Sequence, residues 1–435
     1  MFKHFKSIFA VGLALALTGC SPASTADQEN NQAAEIKKQS EDKSEVLPVD
    51  EGEKVQIRII SPYTTSNTDS TALVFNEALE EAKAEFPDYE IIHDSYSTEI
   101  YKSKLKIAMA SSEDFDIFFS WSDGYLKPMV ENDFVLPLND LLTEYDYDLE
   151  KTDCWSGMIF DDEIYGVATS YWLGVLYYNP YIFNQFHIEV PQTWDELVEA
   201  CRTLSDNGLT PFSLGMKDIW PGHVFVNQLL LQLVGSEEYA KIAAGESHAD
   251  REIWLEIGEK IQELIDAGAF ADDCFDMTND DEITSFLKGY RGMMLTGSIY
   301  GIDKDNDYVA VTSFPLLEDC NYPKDYLGKS SSGFCISADT EFPEESFEVM
   351  MYLVDKCSQD PTLLSVWKED EEQDNTSVAR ECLKILDEGE GWGVNYDVLL
   401  AADQKDKFLE IVMNLFTQDS DAEKFADDMT SLFSE

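Results

Sequence analysis

Between Val55 and Ser120, short apolar runs alternate with amphipathic stretches, and this alternation limits the fold more than any other feature of the chain. Val55–Ile60 (VQIRII) reads as an alternating strand, Thr71–Phe86 as a helix, Tyr89–Ile92 as a second strand and Ile100–Ala110 as a second helix. Asp116–Ser120 (DIFFS) follows as a third strand, apolar and bounded by turn signals in the manner of a buried parallel strand. Strands alternating with helices of this length predict βαβ units and a parallel sheet. Ligands bind such sheets in the crevice beyond the carboxyl ends of the strands. The third strand runs straight into Trp121, Asp123 and Gly124. An indole beside a carboxylate is what sugar recognition requires, a flat face for the pyranose C–H groups and an acceptor for its hydroxyls. The same residues fit a core Trp and a helix N-cap, and the local sequence leaves both readings open.

Further along, Ile164–Asn179 is too long for one simple strand and reads as two extended pieces, with Thr169, Ser170, Tyr171 and Trp172 between them. A passage of this kind suits a crossing from one lobe to another. Thr193 and Glu196 form a capping-box pair at the start of a helix in which Trp194 packs inward. Pro211–Leu214 is a strand, Lys217–His223 a loop that contains Trp220, and helices cover His223–Val234, Asp250–Ala267 and Asp280–Lys288. Gly292–Gly297, Val309–Phe314 and Ser331–Ser337 are further strands, and from Pro343 onward the chain is almost wholly helical. A body of about 380 residues exceeds what one core supports, so two domains are expected.

The N-terminus reads as a secretory signal over residues 1–19, with Lys3 and Lys6 ahead of the apolar run Ile8–Leu17. It closes on Leu17-Thr18-Gly19-Cys20, which resembles the lipobox of bacterial lipoproteins and implies lipidation of Cys20. Residues 20–52 beyond it lack aromatics and are rich in polar residues, the composition of a disordered tether. The chain carries 86 acidic and 30 basic residues, a formal charge of −56 that excludes nucleic acid as a partner. Of eight Cys, the seven after Cys20 are scattered without C-x-x-C spacing, which argues against a disulfide framework and a zinc site.

The lipobox and four stretches together resemble the extracellular solute-binding proteins of bacterial ABC importers, in the sugar-binding group that includes maltose-binding protein. The stretches are DIFFSWSDGYLKPMVENDFVLPLND, YGVATSYWLGVLYYNPYIFNQFHIEVPQTWDELVEAC, SFLKGYRGMMLTGSIYG and FPEESFEVMMYL. The resemblance runs from about Val55 to the C-terminus and implies an α/β fold of two lobes, each a mixed, mostly parallel sheet flanked by helices, joined by a hinge with multiple crossings. It implies one lobe over residues 53–168 and about 312–365, and a second over about 169–311 and 366–435. It also implies a carbohydrate ligand bound between the lobes without chemistry, ABC permease subunits as partners, an extracytoplasmic monomer held to the membrane by lipid, and no cofactor or metal. Carried over residue by residue, it points to Trp121 and Asp123 at the third-strand turn and to Thr65 and Asn67 after the first strand. Tyr171 and Trp172 fall at the crossing, and Trp220 in the second lobe. Where the family usually has Trp after the GMMLTGS strand, this chain has Ile299, with Tyr300 as the stand-in. Trp367, Trp392 and Tyr396 are candidates from the C-terminal region, with Trp392 preferred.

Two other readings remain. A secreted glycan hydrolase needs only two carboxylates, yet no nucleophile or metal motif is present and the five His are isolated, which reads as surface or cap residues. A binding protein for a polyamine would combine carboxylates with aromatics. Adjacent Tyr177 and Tyr178 face opposite ways on a strand and cannot chelate one ion together.

Overall fold

A computed structural model describes residues 54–67, 70–111, 115–147, 152, 157–297, 307–367 and 375–434. The first three strands, β1 (Val55–Ser61), β2 (Tyr89–Ser95) and β3 (Ile117–Trp121), form where the alternation predicts them. They are parallel in the order β2-β1-β3, with Ile57 opposite Ile91 and Ile59 opposite Ile117. The helix Ser70–Glu85 buries Phe75, Ala78, Leu79 and Ala82, spaced three and four apart, so one stripe faces the sheet. A small hairpin, β4 (Ile159–Phe160) and β5 (Glu163–Ile164), precedes the crossing.

The crossing is one strand. β6 (Val167–Tyr178) runs twelve residues without interruption, where the sequence reads as two pieces. It stays continuous because it changes partners along its length. Residues 167–173 pair antiparallel with β10 (Asp325–Ile336), while Gly174–Tyr178 pair with β8 (Met293–Gly297) and β9 (Ala310–Thr312). Register shifts at Gly328/Ser330 and Ser332/Gly333 accommodate the change. With β7 (Phe212–Ser213) at the far edge, the main path reads β2-β1-β3-β10-β6-β8-β7. The first half of β10 and β11 (Gly391–Gly393), which lies parallel to it, were not anticipated; both are short of the β-branched and aromatic alternation that marks a strand.

Residues from Glu53 on form one compact unit with two large, separate cores. One holds Ile57, Phe118, Phe119, Val167, Phe334 and Phe347. The other holds Phe183, Trp194, Phe225, Trp254, Phe408 and Phe425. Phe314, Leu317 and Leu327, grouped with the first lobe on the sequence, pack in this second core. The capping box at Thr193 and Glu196 is present, and Trp194 is buried with its Nε1 donating to Glu263 at 2.9 Å. Cys201, Cys274, Cys335, Cys357 and Cys382 are buried free thiols; Cys154 lies outside the described residues. Burial pushes the Cys274, Cys357 and Cys382 thiols up to about 12, so they stay protonated and packed. Tyr177 and Tyr178 do face apart, Tyr177 donating to the Gly297 carbonyl at 3.0 Å and Tyr178 packing on Phe183.

Candidate functional site

A cavity of about 270 Å³ lies at the carboxyl ends of β1, β2 and β3, between the two cores. From the first core come Tyr63 and Asn67 after β1, Glu99 and Lys102 after β2, and Trp121 and Ser122 at the end of β3. The second core supplies Asp218 and Trp220, then Thr278, Asn279 and Asp280 at the start of the helix Asn279–Leu287, and Asn395 and Asp397 near the C-terminus. Thr169, Ser170 and Trp172 of β6 join the two sides.

Trp121 is a half-buried wall residue. Its ring meets Phe119 and Tyr125 edge-on at 5.1 and 5.0 Å, and the Lys102 ammonium stands 5.0 Å from its centroid. Lys102 is in turn paired with Glu99 at 3.0 Å. Asn67 reaches the wall too, and its side-chain oxygen accepts the Thr64 N–H at 3.1 Å. Trp220 opens the helix Trp220–Val234 instead of sitting in a loop, which fixes its backbone at the cavity edge. Trp172 lies over a cross-strand glycine pair, Gly174 and Gly297.

Other sequence candidates sit elsewhere. Asp123 is off the wall: its φ is 54°, its N–H donates to the Gly157 carbonyl at 2.8 Å, and its carboxylate accepts the Ser122 hydroxyl at 2.6 Å over the Gly157 Cα. The left-handed backbone turns the side chain toward the 157 loop, so it neither caps the next helix nor faces the cavity. Burial raises its pKa, with the Ser122 hydrogen bond opposing. Thr65 is exposed and away from the wall. Tyr171 follows the strand alternation to the other face and packs with the cluster around Leu173 and Tyr326. Trp392, on β11, packs on Tyr326 under Lys329. Trp367 donates to the Ala168 carbonyl and Tyr396 to the Tyr239 carbonyl, both as structural contacts. Cys20, Ile299 and Tyr300 lie outside the described residues.

The charges of the wall were the least anticipated. His223, expected at the surface, is fully buried, its Nε2 3.2 Å from Asp397 Oδ1 and its Nδ1 3.2 Å from Asn227. Burial alone would raise the Asp397 pKa, but His223, with Lys102 and Lys405 farther off, holds the carboxyl down at about 2. On the facing wall Asp218 accepts the Asn279 N–H at 2.7 Å, and burial raises both Asp218 and Asp280, Asp280 further by the charge of Asp218. Behind them Glu282 is completely buried, its Oε2 accepting from Gly215 N at 3.0 Å and from Asn279 Nδ2 at 3.2 Å. Burial pushes its carboxyl up to about 8 despite these two donors. Two further wall atoms, Thr71 Oγ1 and Asn395 Oδ1, are buried without a hydrogen-bond partner among the described residues. Among those residues no cluster of His, Cys, Asp and Glu could hold a metal, and no helix is long and apolar enough to cross a membrane.

The arrangement therefore offers rings, carboxylates and amides from two sides of one cleft, the chemistry of holding a polar solute. The family profile described as bacterial extracellular solute-binding protein matches residues 66–273. Just under half of the chain is thus similar to the bacterial extracellular solute-binding proteins. The chain is 26% identical over 155 residues to an ABC transporter extracellular-binding protein of Pyrococcus horikoshii, covering 34% of each chain. It is 24% identical over 176 residues to the osmoprotective compounds-binding protein of Synechocystis, covering 38% of this chain and 40% of that one. These alignments thus span little more than a third of the curated relatives. Among solved structures, the chain is similar to a protein described in work on xylan utilization by Caldanaerobius polysaccharolyticus, with TM-score 0.80, 24% identity, and 87% and 99% of the two chains covered. It is also similar to a chitin oligosaccharide binding protein (TM-score 0.76, 19% identity, 88% and 98% covered) and to RafE in complex with raffinose (0.70, 17%, 88% and 99%). These likenesses establish the two-lobed fold, and the matched family is described as extracellular solute-binding proteins.

Proposed function

We propose that the protein captures a short carbohydrate in this cavity, without chemistry on it, and delivers it to an ABC permease. The observation that carries the reading is the meeting of three indoles, Trp121, Trp172 and Trp220, with Asp218, Asp280 and Asn395 in one cavity. Indoles stack on the C–H face of a sugar ring, and carboxylates and amides take its hydroxyls. Thr71 Oγ1 and Asn395 Oδ1, buried and unpartnered among the described residues, are groups a hydroxylated ligand would satisfy. A cavity of about 270 Å³ falls at the small end of ligand pockets, which favours a mono- or disaccharide-sized ligand over a long chain. The neighbours named for xylan utilization, chitin oligosaccharide and raffinose support the same class.

In this reading the two cores are two lobes that close on the solute about the β6 crossing, and the closed form is what the permease recognises. One chain walls the whole cavity, so a monomer suffices. Lipidation of Cys20 holds the protein at the outer face of the membrane, with residues 20–52 as its tether.

A thermal-shift screen with xylotriose, diacetylchitobiose, galactose, raffinose and spermidine tests the assignment. A sugar present at a hundred times its Kd should add about 2.7 kcal/mol of stability. The facing carboxylates Asp218 and Asp280 favour one second reading, a cationic solute; a shift with spermidine and none with any sugar would establish it instead.

A further inference from the structure

We infer that Gly124 is the stop on which the two halves meet, and that its lack of a side chain sets how far they can close. This rests on the reading of the cavity as a cleft that closes on a solute. Gly124 lies in the turn after β3, next to the wall residues Trp121 and Ser122 and within the first half. Facing it is the C-terminal end of the short helix Tyr396–Leu399, which packs on the second core and contributes Asp397 and Val398 to the wall. A Cβ on Gly124 would lie 2.4 Å from the Leu399 carbonyl oxygen and 2.8 Å from that of Val398.

Three features give this contact its meaning. Both partners are backbone, so neither can rotate aside as a side chain would. The carbonyls are those that a helix end leaves without intrahelical partners, and a glycine Cα–H is the group that can approach them so closely. Gly124 is also absent from the residues with positive φ, so its backbone does not itself require glycine. The three atoms nearest a methyl at this position all belong to the other half, so its tightest clash falls where the halves touch. The closest steric demand at Gly124 comes from the contact between the halves.

Gly124→Ala separates these consequences. The ligand-free variant should melt at or slightly above the wild-type temperature, because Gly→Ala at a compatible backbone reduces the entropy of the unfolded chain. Its affinity for whichever of xylotriose, diacetylchitobiose, galactose or raffinose binds the wild type best should fall about tenfold or more. Fluorophores carried on genetically encoded handles at the exposed Ser103 and Asp403 report the distance between the halves. The wild type should show a short-distance population with sugar that Gly124→Ala lacks, and Gly124→Val should show a longer distance still. Equal shortening in wild type and variant, with equal affinity, overturns the role of Gly124 and leaves the binding reading intact. No shortening in the wild type with any of the four sugars overturns the closing cleft itself, and the stop with it. A large drop in the melting temperature of ligand-free Gly124→Ala also overturns the proposal, because the glycine would then serve the first half alone.

Discussion

The indole of Trp172 lies directly on Gly297: a Cβ there would fall 2.0 Å from the ring nitrogen. Gly297 pairs across the ladder with Gly174, whose own Cβ would come within 3.3 Å of the same ring. Two glycines side by side on adjacent strands leave a bare patch of sheet, and the ring covers it, as aromatic side chains do over strand glycines. The position of this wall residue is thus set by what its neighbours lack. Gly297→Ala should lift the ring into the cavity, lowering sugar affinity about tenfold. Calorimetry on the best-binding sugar checks this, and unchanged affinity would show that the ring does not bear on the ligand.

Trp121 makes edge contacts on two sides and a cation contact on its face, yet it remains only half buried. Trp121→Ala should cost ligand-free stability less than the about 3–5 kcal/mol typical of a core aromatic, while reducing sugar affinity strongly. A loss of core size without ligand would assign the ring to packing.

The His223–Asp397 pair joins a buried imidazole to the cavity wall. Because the folded-state pKa of Asp397 lies at about 2, below its unfolded value, the stability it adds is fully present above the unfolded pKa and fades as pH falls toward 2. Asp397→Asn should therefore lose stability near neutral pH, by up to about 3–5 kcal/mol, the cost of removing one member of a buried pair. The difference from wild type should narrow under acid, as denaturant titrations at pH 7 and pH 3 would reveal. An equal difference at both values would remove the carboxylate charge from the account.

Glu282 has the opposite sign. Its folded-state pKa is raised to about 8, so the folded protein holds a proton that the unfolded chain releases well below that. Stability tied to this group falls as pH rises from the ordinary Glu range through about 8, then levels off. Glu282→Gln keeps the acceptor for Gly215 N and Asn279 Nδ2 and should flatten that slope, making the variant the more stable one at pH 8. Melting curves across pH 5–9 decide it; parallel profiles would exclude Glu282 as the titrating group.

Cys20→Ser should release the mature protein from membranes or leave it unprocessed, read by fractionation and intact mass. Normal processing with full membrane retention would contradict lipid anchoring.

The strand–helix alternation of the first 120 residues was legible because each element there depends on its own local pattern. Trp121 was reachable for the same reason, because a strand end and the turn after it can be marked on a sequence, whereas Trp172 and Trp220 were reached only through the family resemblance. Asp123 was misplaced because its orientation depends on a left-handed backbone and on the Gly157 loop, neither visible locally. His223 and Asp397 are 174 positions apart and meet only through the packing of two helices, so no spacing rule reaches them. Asp280 looked like an ordinary residue at a helix start, and only the fold brings it into one cavity with Asn395. The N-terminal half of β10, with Gly328 and Lys329 at left-handed or unusual φ, carries no strand signature at all.

β6 has a mechanical consequence. A flexible linker lets two bodies wander through many relative orientations, and a ligand must then freeze them all. Here the connection is a twelve-residue pleated ribbon, laddered on its first half to β10 and on its second to β8 and β9. Such a ribbon bends and twists about its own axis but resists shear and separation, so it behaves as a leaf spring with one soft mode. In the closure proposed above, the halves would then meet along nearly the same path each time. Ordering them around a solute would then remove little rotational freedom, and more of the contact energy would remain as affinity.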